Sequence, residues 1–490
     1  MEQNQVFKQL FVGGDLSGIQ KFLYNISSKK AAVSLKGRSY YLRQLMENVC
    51  SDIKLAAEAN GAKTTEVIYS SGGKFYLLTD NTPQIVQAVE SCAKQAKQNL
   101  WEEHKGQLGL SISHVAFNEN PDGTVDCQDA LRQKPGYLWK VVNAEFTRQK
   151  SQKFKDLLTE SYQDFFEPIP VGGKPKVCAI TGIESPDCVK MSADGKDKEM
   201  YVLTSVRQQI QLGEELRRQE GFKTFEEYAG NTNLGILRMD VDGLGKRFIT
   251  GFDSISQYKT FSKKLVDFFE KETEKIQKDS VFKPYLNIIY AGGDDLFVVG
   301  RWDKVIDFAE RIHQETKERF GSDGISISGG VAIVQPKFPI AKAAELAGDA
   351  ESAAKQYRNG EKNAFCMLGK TVSWNQEFDY VKSFKQQFVT LIKEYDLSKG
   401  ILHKLMLYSS IADRNKLLRK EGKAENYSYI WHISYYLTRF MKRYESNRAV
   451  YDFCRSLRDK EINYRDGRKL ELIALAARWA ELILKDEINN

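Results

Sequence analysis

The sequence predicts an α/β protein of the α+β kind, with two ferredoxin-like units, an insert between them and an all-α C-terminal domain. Three observations carry this: an internal repeat, a strand–helix alternation inside each copy, and a change to helical periodicity after about residue 370. The repeat joins three blocks. Val67 to Leu78 recurs in outline as Ile288 to Val299, Asp15-Leu16-Ser17-Gly18 as Asp240-Val241-Asp242-Gly243, and Gly109 to Ser113 as Gly324 to Ser328. Their offsets of 221, 225 and 215 residues are nearly constant and in one order, as a duplicated domain requires.

The second copy is the clearer. An apolar strand is expected at Leu234 to Met239, followed by a helix on which Phe261, Leu265, Phe268, Phe269 and Ile276 recur at helical spacing. Strands Leu286 to Ala291 and Leu296 to Gly300 flank a tight Gly-Gly-Asp-Asp turn, in which Gly and Asp both suit positive φ. Val305, Phe308, Ala309, Ile312 and Thr316 mark the next helix, and Ile325 to Val334 the last strand. The order is βαββαβ, the split-βαβ arrangement with helices on one face of an antiparallel sheet. The first copy repeats it up to about residue 120. Four domains are expected: a first copy over 1–124, an insert over 125–228, a second copy over 229–370 and a helical domain over 371–490. Pro168, Pro170, Gly172, Gly173 and Pro175 make the insert a helix followed by an irregular stretch. Tyr427, Tyr429, Trp431, Tyr435 and Tyr436 in the last domain are read as core rather than as a platform for bases.

Composition narrows the class. Of the 490 residues, 42% are hydrophobic and 28% charged, ordinary globular usage that excludes a disordered or collagen-like chain. No apolar run reaches the roughly 20 residues of a membrane span and no signal core opens the chain, so no membrane partner and a cytoplasmic location are expected. Seven widely spaced cysteines without a CxxC pair argue against a disulfide framework. The net charge of +7 lies almost wholly in residues 371–490, with 22 basic against 16 acidic residues, which fits RNA as well as a solvated helical face.

The chemistry is expected from carboxylates. Asp240 ends the first strand of the second copy, while Asp294 and Asp295 occupy the neighbouring hairpin turn, so the three should meet at one sheet edge. Clustered carboxylates need cations, and hard oxygen ligands suit Mg²⁺ or Mn²⁺, commonly a pair clamping phosphate oxygens in nucleotidyl transfer. Gly292 and Gly293 would let the backbone approach a triphosphate, with Gly243 beginning the next helix; Asp242 could cap that helix. Lys355 and Lys362, after a later helix, could neutralise phosphates or be ordinary solvated lysines. In the first copy Gly73 and Lys74 replace Asp294 and Asp295. That copy is expected to bind no metal pair, yet to offer a second nucleotide pocket through Ser17, Gly72 and Gly73.

The stretch Gly14 to Phe22, Lys36-Gly37-Arg38-Ser39-Tyr40-Tyr41-Leu42, the Ser71-Gly72-Gly73 turn and Tyr290 to Asp295 together resemble the large subunit of type III-A (Csm) CRISPR effector complexes. The resemblance implies two palm domains forming a composite site that polymerises ATP into cyclic oligoadenylates when guide RNA pairs with target RNA. It further implies Asp240, Asp294 and Asp295 as ligands of two Mg²⁺ or Mn²⁺ ions, with Lys355 and Lys362 near phosphates. Implied partners are the guide and target RNAs, a small helical subunit along their duplex and a guide-end-binding subunit. Two departures count. None of the five histidines is followed by Asp, so HD-type DNase activity is not expected; and the insert, which often holds four zinc-binding cysteines, has only Cys178 and Cys188, so zinc is doubtful. The alternatives are an RNA-binding scaffold with an idle palm and a cyclase with a different product.

Overall fold

The computed structural model describes residues 6–27, 29–160, 162, 175–192, 199–462 and 467–489. Pro168, Pro170, Gly172 and Gly173 of the insert lie outside the described residues. The chain divides into two compact units: Met1–Ala229 with Leu234–Ser326 and Val334–Glu345, and Gly230–Asn233 with Ile327–Ile333 and Leu346–Asn490.

In the first unit, β1 (Gln9–Ser17), β2 (Thr65–Ser71), β3 (Lys74–Asp80) and β4 (Gly109–Glu119) join β5 (Val125–Cys127) and β6 (Ala130–Gln133) in a sheet of order β2-β3-β1-β4-β5-β6. Helices Ala31–Ala59 and Pro83–His104 complete the βαββαβ order. Leu10, Val12, Phe75, Leu77 and Ile112 from the strands close on Leu42, Met46, Ile53, Ile85 and Val89 from the helices as one core cluster. Successive strand residues face opposite ways, so Phe11 and Tyr76 between them point to the other face, where they are buried against Trp139. Beyond them come the helix Gly136–Ser151, two short hairpins, β7 (Lys176–Val177) with β8 (Glu184–Ser185) and β9 (Cys188–Ser192) with β10 (Glu199–Leu203), and the helix Thr204–Glu220. That helix crosses Ala31–Ala59 closely: a Cβ on Gly37 would lie 1.9 Å from the Gln209 carbonyl oxygen, and one on Gly213 2.0 Å from that of Val33.

The same unit holds the opening half of the second copy: β11 (Leu234–Val241), β12 (Leu286–Gly292) and β13 (Asp295–Arg301), with β13 between the others. The expected helix over Phe261 to Ile276 is not continuous. It runs as Ile255–Val266, a π-helical segment Asp267–Glu272, and Thr273–Gln277, the wider turn keeping both Phe268 and Phe269 in the core. The duplication extends to residue register. Gln9 pairs with Asp80 as Leu234 pairs with Arg301, and the irregularity between Val67 and Tyr69 recurs between Ile288 and Tyr290. Aromatic packing ties the first helix of the insert to both copies: Trp139 lies 4.5 Å from the Phe11 ring and stacks on Tyr258, ring centroids 3.9 Å apart, and the Tyr258 hydroxyl donates to the Phe248 carbonyl.

The second unit contains β14 (Ile327–Val334) up to Ile333, β15 (Ala364–Met367) and β16 (Lys370–Ser373), then helices Asp379–Glu394, Gly400–Lys420, Ser428–Arg443, Arg448–Ser456 and Gly467–Asn489. The region is helical as expected, but the expectation for its aromatics is corrected. Tyr429 is buried, whereas Tyr427, Trp431 and Tyr435 are 47%, 59% and 61% exposed, because the helix Ser428–Arg443 buries the face of Tyr429, Ile433, Leu437, Phe440 and Met441 instead. No helix among the described residues is long and apolar enough to cross a membrane.

Candidate active site

The hairpin between β12 and β13 sets the site. Gly292 pairs with Asp295, leaving Gly293 and Asp294 as a two-residue turn. Only Gly293 takes a positive φ, of 69°, so the turn is of the II′ kind and Asp294 does not use the left-handed region that its residue type suggested. Asp240, near the end of β11, pairs directly with Asp295. One carboxylate oxygen from each of Asp240, Asp294 and Asp295 lies within 4.8 Å of the others, and all three residues are half-buried. At that separation each pair of like charges repels by about 3 kcal/mol at an effective dielectric of about 20. A half-buried, all-oxygen set of this kind fits a hard divalent cation.

A cleft of about 400 Å³ opens onto Asp294 and Asp295. Lys21, Tyr24, Gly72 and Lys74 of the first copy and Arg238 and Tyr290 of the second line it, so cations from both copies face the acids. Two phenols, Tyr69 buried and Tyr290 half-buried, flank the turns at equivalent positions. Burial pushes Tyr69 up, with the charge of Asp294 adding to it, and pushes Tyr290 up with Asp295 and Asp294, so both remain protonated hydroxyls.

Other expected residues have partners of their own. Asp242 does not cap the helix Leu244–Thr250: Gly243, at φ 71°, holds the cap position, while the Asp242 carboxylate accepts the Ser326 hydroxyl at 2.7 Å. Ser17 is not brought into the cleft with Gly72. It ends β1 opposite Gly109, its hydroxyl donates to the Gly109 carbonyl at 3.0 Å, and it lines another cleft, of about 630 Å³. Gly73 lines a third, of about 370 Å³, which also reaches Gly72 and Gly292. Lys355 ends the helix Ile340–Lys355 within the second unit, 2.9 Å from Glu351, and Lys362 takes φ 60° in the following turn of that unit. In the first copy Asp15 pairs with Lys74, as Asp240 pairs with Asp295, and its carboxylate is held by the Lys150 ammonium at 2.5 Å. Ordinary lysine neutralisation thus stands where the second copy gathers three acids. In the insert, burial pushes the Cys178 thiol up, but the Thr181 hydroxyl and N–H and the N–H groups of Leu203 and Ile180 outweigh it and leave the thiol below its usual value; Cys188 donates to the Lys176 carbonyl.

Sequence reasoning missed Ser71, Glu270 and Arg43, which meet beside the turn. Ser71 stood in a motif whose glycines drew the attention, and Glu270 has only the signal of a polar residue after two buried phenylalanines.

The family described as Csm1 subunit domain B matches residues 8–169, and Cas10/Cmr2, second palm domain, matches residues 233–366. The chain carries domains that match the Cas10/Csm1 large subunit in both of its copies. A Cas10/Csm1 relative from Enterococcus italicus, described as a CRISPR system single-strand-specific deoxyribonuclease of subtype III-A, is 26% identical over 94% of this chain and 65% of its own length. The chain spans 60% to 65% of the length of the curated relatives it matches. Among solved structures, a Csm1–Csm4 cassette in complex with pppApA has a TM-score of 0.68 at 18% identity, covering 97% of this chain and 69% of that one. A Csm1–Csm4 cassette in complex with cA4 has a TM-score of 0.64 at 19% identity, covering 96% and 70%. The fold of two palms and a helical C-terminal region is therefore shared with Csm1.

Proposed function

We propose that the chain is the large subunit of a type III-A CRISPR effector and a metal-dependent nucleotidyltransferase that joins ATP into cyclic oligoadenylates when target RNA pairs with the guide. The observation that carries this is the convergence of Asp240, Asp294 and Asp295 within 4.8 Å beside a cleft shared by two palms. Asp240, Asp294 and Asp295 would hold Mg²⁺ or Mn²⁺, whose Lewis acidity activates an attacking hydroxyl and neutralises pyrophosphate when bound. Around it, Lys21, Lys74 and Arg238 offset phosphate charge and Gly72 lines the cleft, whereas the Cβ side of Gly293 is filled by Tyr69 and Gly72. Lys355 and Lys362 keep the family's phosphate role, and Ser17 is left out because its hydroxyl turns toward Gly109. The complexes with pppApA and cA4 in the Csm1–Csm4 relatives support adenylate as substrate and product. Guide RNA, target RNA, a small helical subunit and a guide-end-binding subunit complete the assembly. Single-strand DNA cleavage, named for the Enterococcus relative, is outside the proposal, because these residues contain no His-Asp dyad.

The test assembles the chain with guide RNA and partner subunits and supplies labelled ATP with Mg²⁺ or Mn²⁺, with and without complementary target RNA. Target-dependent cyclic oligoadenylate that disappears in Asp294→Ala/Asp295→Ala is the expected result. A correctly assembled, target-bound complex yielding no product from any nucleotide overturns the reading and leaves an RNA-binding scaffold.

A further inference from the structure

The two hairpin turns meet backbone to backbone. A Cβ on Gly72 would lie 3.0 Å from Gly293 Cα, and one on Gly293 3.1 Å from Gly72 Cα. By the 221-residue offset these glycines are equivalent positions, so the contact lies on the pseudo-symmetry relation of the two copies. Its hydrogen bonding is not symmetric. The Ser71 hydroxyl accepts the N–H of Gly293 at 2.8 Å and donates its proton to Glu270 Oε1 at 2.7 Å. Glu270 Oε2 in turn accepts Arg43 Nη2 at 2.8 Å, and Arg43 Nε is held by Glu47 at 2.9 Å. The position equivalent to Ser71 is Gly292, which has no hydroxyl to return the interaction.

A chain of hydrogen bonds therefore runs Arg43, Glu270, Ser71, Gly293, alternating first copy and second copy at every step. Each link has a fixed direction. The carboxylate of Glu270 can only accept, so the Ser71 proton must point to it, which leaves the Ser71 lone pairs toward Gly293. Glu270 is itself held in place, since its side chain is 13% exposed and the π-helical segment Asp267–Glu272 that carries it keeps Phe268 and Phe269 buried at the same time. Irregular helical turns of this kind concentrate at functional sites. The bonded N–H belongs to the residue immediately before Asp294, so fixing it fixes the start of the acidic pair.

We propose that Ser71 and Glu270 are positioning residues for the acid cluster, the copy without the three acids holding in register the turn that carries two of them. The inference rests on the reading of Asp240, Asp294 and Asp295 as a metal site. It gives the first palm a structural duty distinct from nucleotide binding. Groups that orient metal ligands through hydrogen bonds change metal affinity by roughly 10-fold to 100-fold when removed.

The test is Mn²⁺ uptake by the full chain, followed through the signal of free Mn²⁺ by electron paramagnetic resonance, without nucleotide. Ser71→Ala and Glu270→Gln are expected to weaken uptake by roughly 10-fold. Ser71→Thr keeps the hydroxyl and is expected to retain wild-type affinity. Glu66→Gln breaks a different bridge between the copies, Lys259 to Glu66 at 2.5 Å, and is expected to leave uptake unchanged. Thermal unfolding of each variant separates positioning from loss of the fold. Wild-type affinity in both Ser71→Ala and Glu270→Gln, with uptake still abolished by Asp294→Ala/Asp295→Ala, overturns the inference and keeps the metal site. Equal weakening by Glu66→Gln also overturns it, since any loosening of the two copies would then suffice. Wild-type protein with no uptake dependent on Asp294 and Asp295 removes the metal reading and the inference with it.

Discussion

Gly293 and Gly243 share nearly the same φ, 69° and 71°, in very different surroundings. A Cβ on Gly243 meets nothing within 4 Å, so Gly243→Ala costs only the left-handed penalty, about 1–2 kcal/mol. A Cβ on Gly293 would lie 2.8 Å from Tyr69 Oη and 3.1 Å from Gly72 Cα, where one obstacle is backbone and cannot swing aside. Gly293→Ala is therefore expected to lose more, about 2–4 kcal/mol from strain and overpacking together. Denaturant unfolding of the two variants checks this, and equal losses would show that the neighbouring turn yields freely. At this scale the sequence was informative about residue type and uninformative about conformation. Asp295, Asp240 and Gly293 could be placed because a strand end and a two-residue hairpin leave few options. Asp242 could not, because an acid before a helix caps or turns inward depending on a serine 84 positions away.

Among elements, strands were more legible than helices, because a register repeated in two copies confirms itself while a helix face must be chosen from ambiguous residues. The helix Ser428–Arg443 shows the difficulty: aromatics stand on both of its sides, and only packing decides between Tyr429 and Trp431. Leu437→Ala on the buried face is expected to cost about 2–5 kcal/mol. Trp431→Ala, 59% exposed, should stay within about 0.5 kcal/mol of wild type, and a large loss there would place Trp431 in an unrecognised core. The segment Trp374–Phe378 was equally invisible, and it carries Glu377 into an ion network. Burial pushes Glu377 up, but Arg468 at 2.9 Å, the Tyr357 hydroxyl and the Ser373 N–H outweigh it and bring it down to about 2 from an ordinary 4.5. A carboxylate lowered by folding stabilises the fold above its unfolded value and ceases to as pH falls. Stability is thus expected to fall between about pH 4.5 and pH 2, less steeply in Glu377→Gln. Some slope persists in that variant because Glu471 is also lowered to about 2, by Lys416, Arg468 and Lys370 against its burial. Identical acid profiles for the two proteins would remove Glu377 from this account.

Across the whole molecule, duplication was the most legible property, since three ordered blocks needed no knowledge of packing; what escaped was how far the copies had diverged in backbone as well as in side chains. The first turn has positive φ at both Gly72 and Gly73, 61° and 79°, a type I′ pattern, whereas its counterpart has it at Gly293 alone. Restoring the acids to the first copy is therefore not a matter of two side chains. An Asp at position 73 would inherit φ 79°, and its Cβ would lie 2.3 Å from Ile19 Cδ1, while Asp15, the counterpart of Asp240, is already bound to Lys150. Gly73→Asp/Lys74→Asp is expected to lower the unfolding temperature and add no bound Mn²⁺ per chain over the parent. Lys74→Asp alone, at an exposed position, should leave stability within about 0.5 kcal/mol. Unfolding scans with Mn²⁺ titration of both variants decide the matter. An additional Mn²⁺ in the double variant would mean that the two turns interconvert, and that residue identity alone separates the copy with three acids from the copy that supports it.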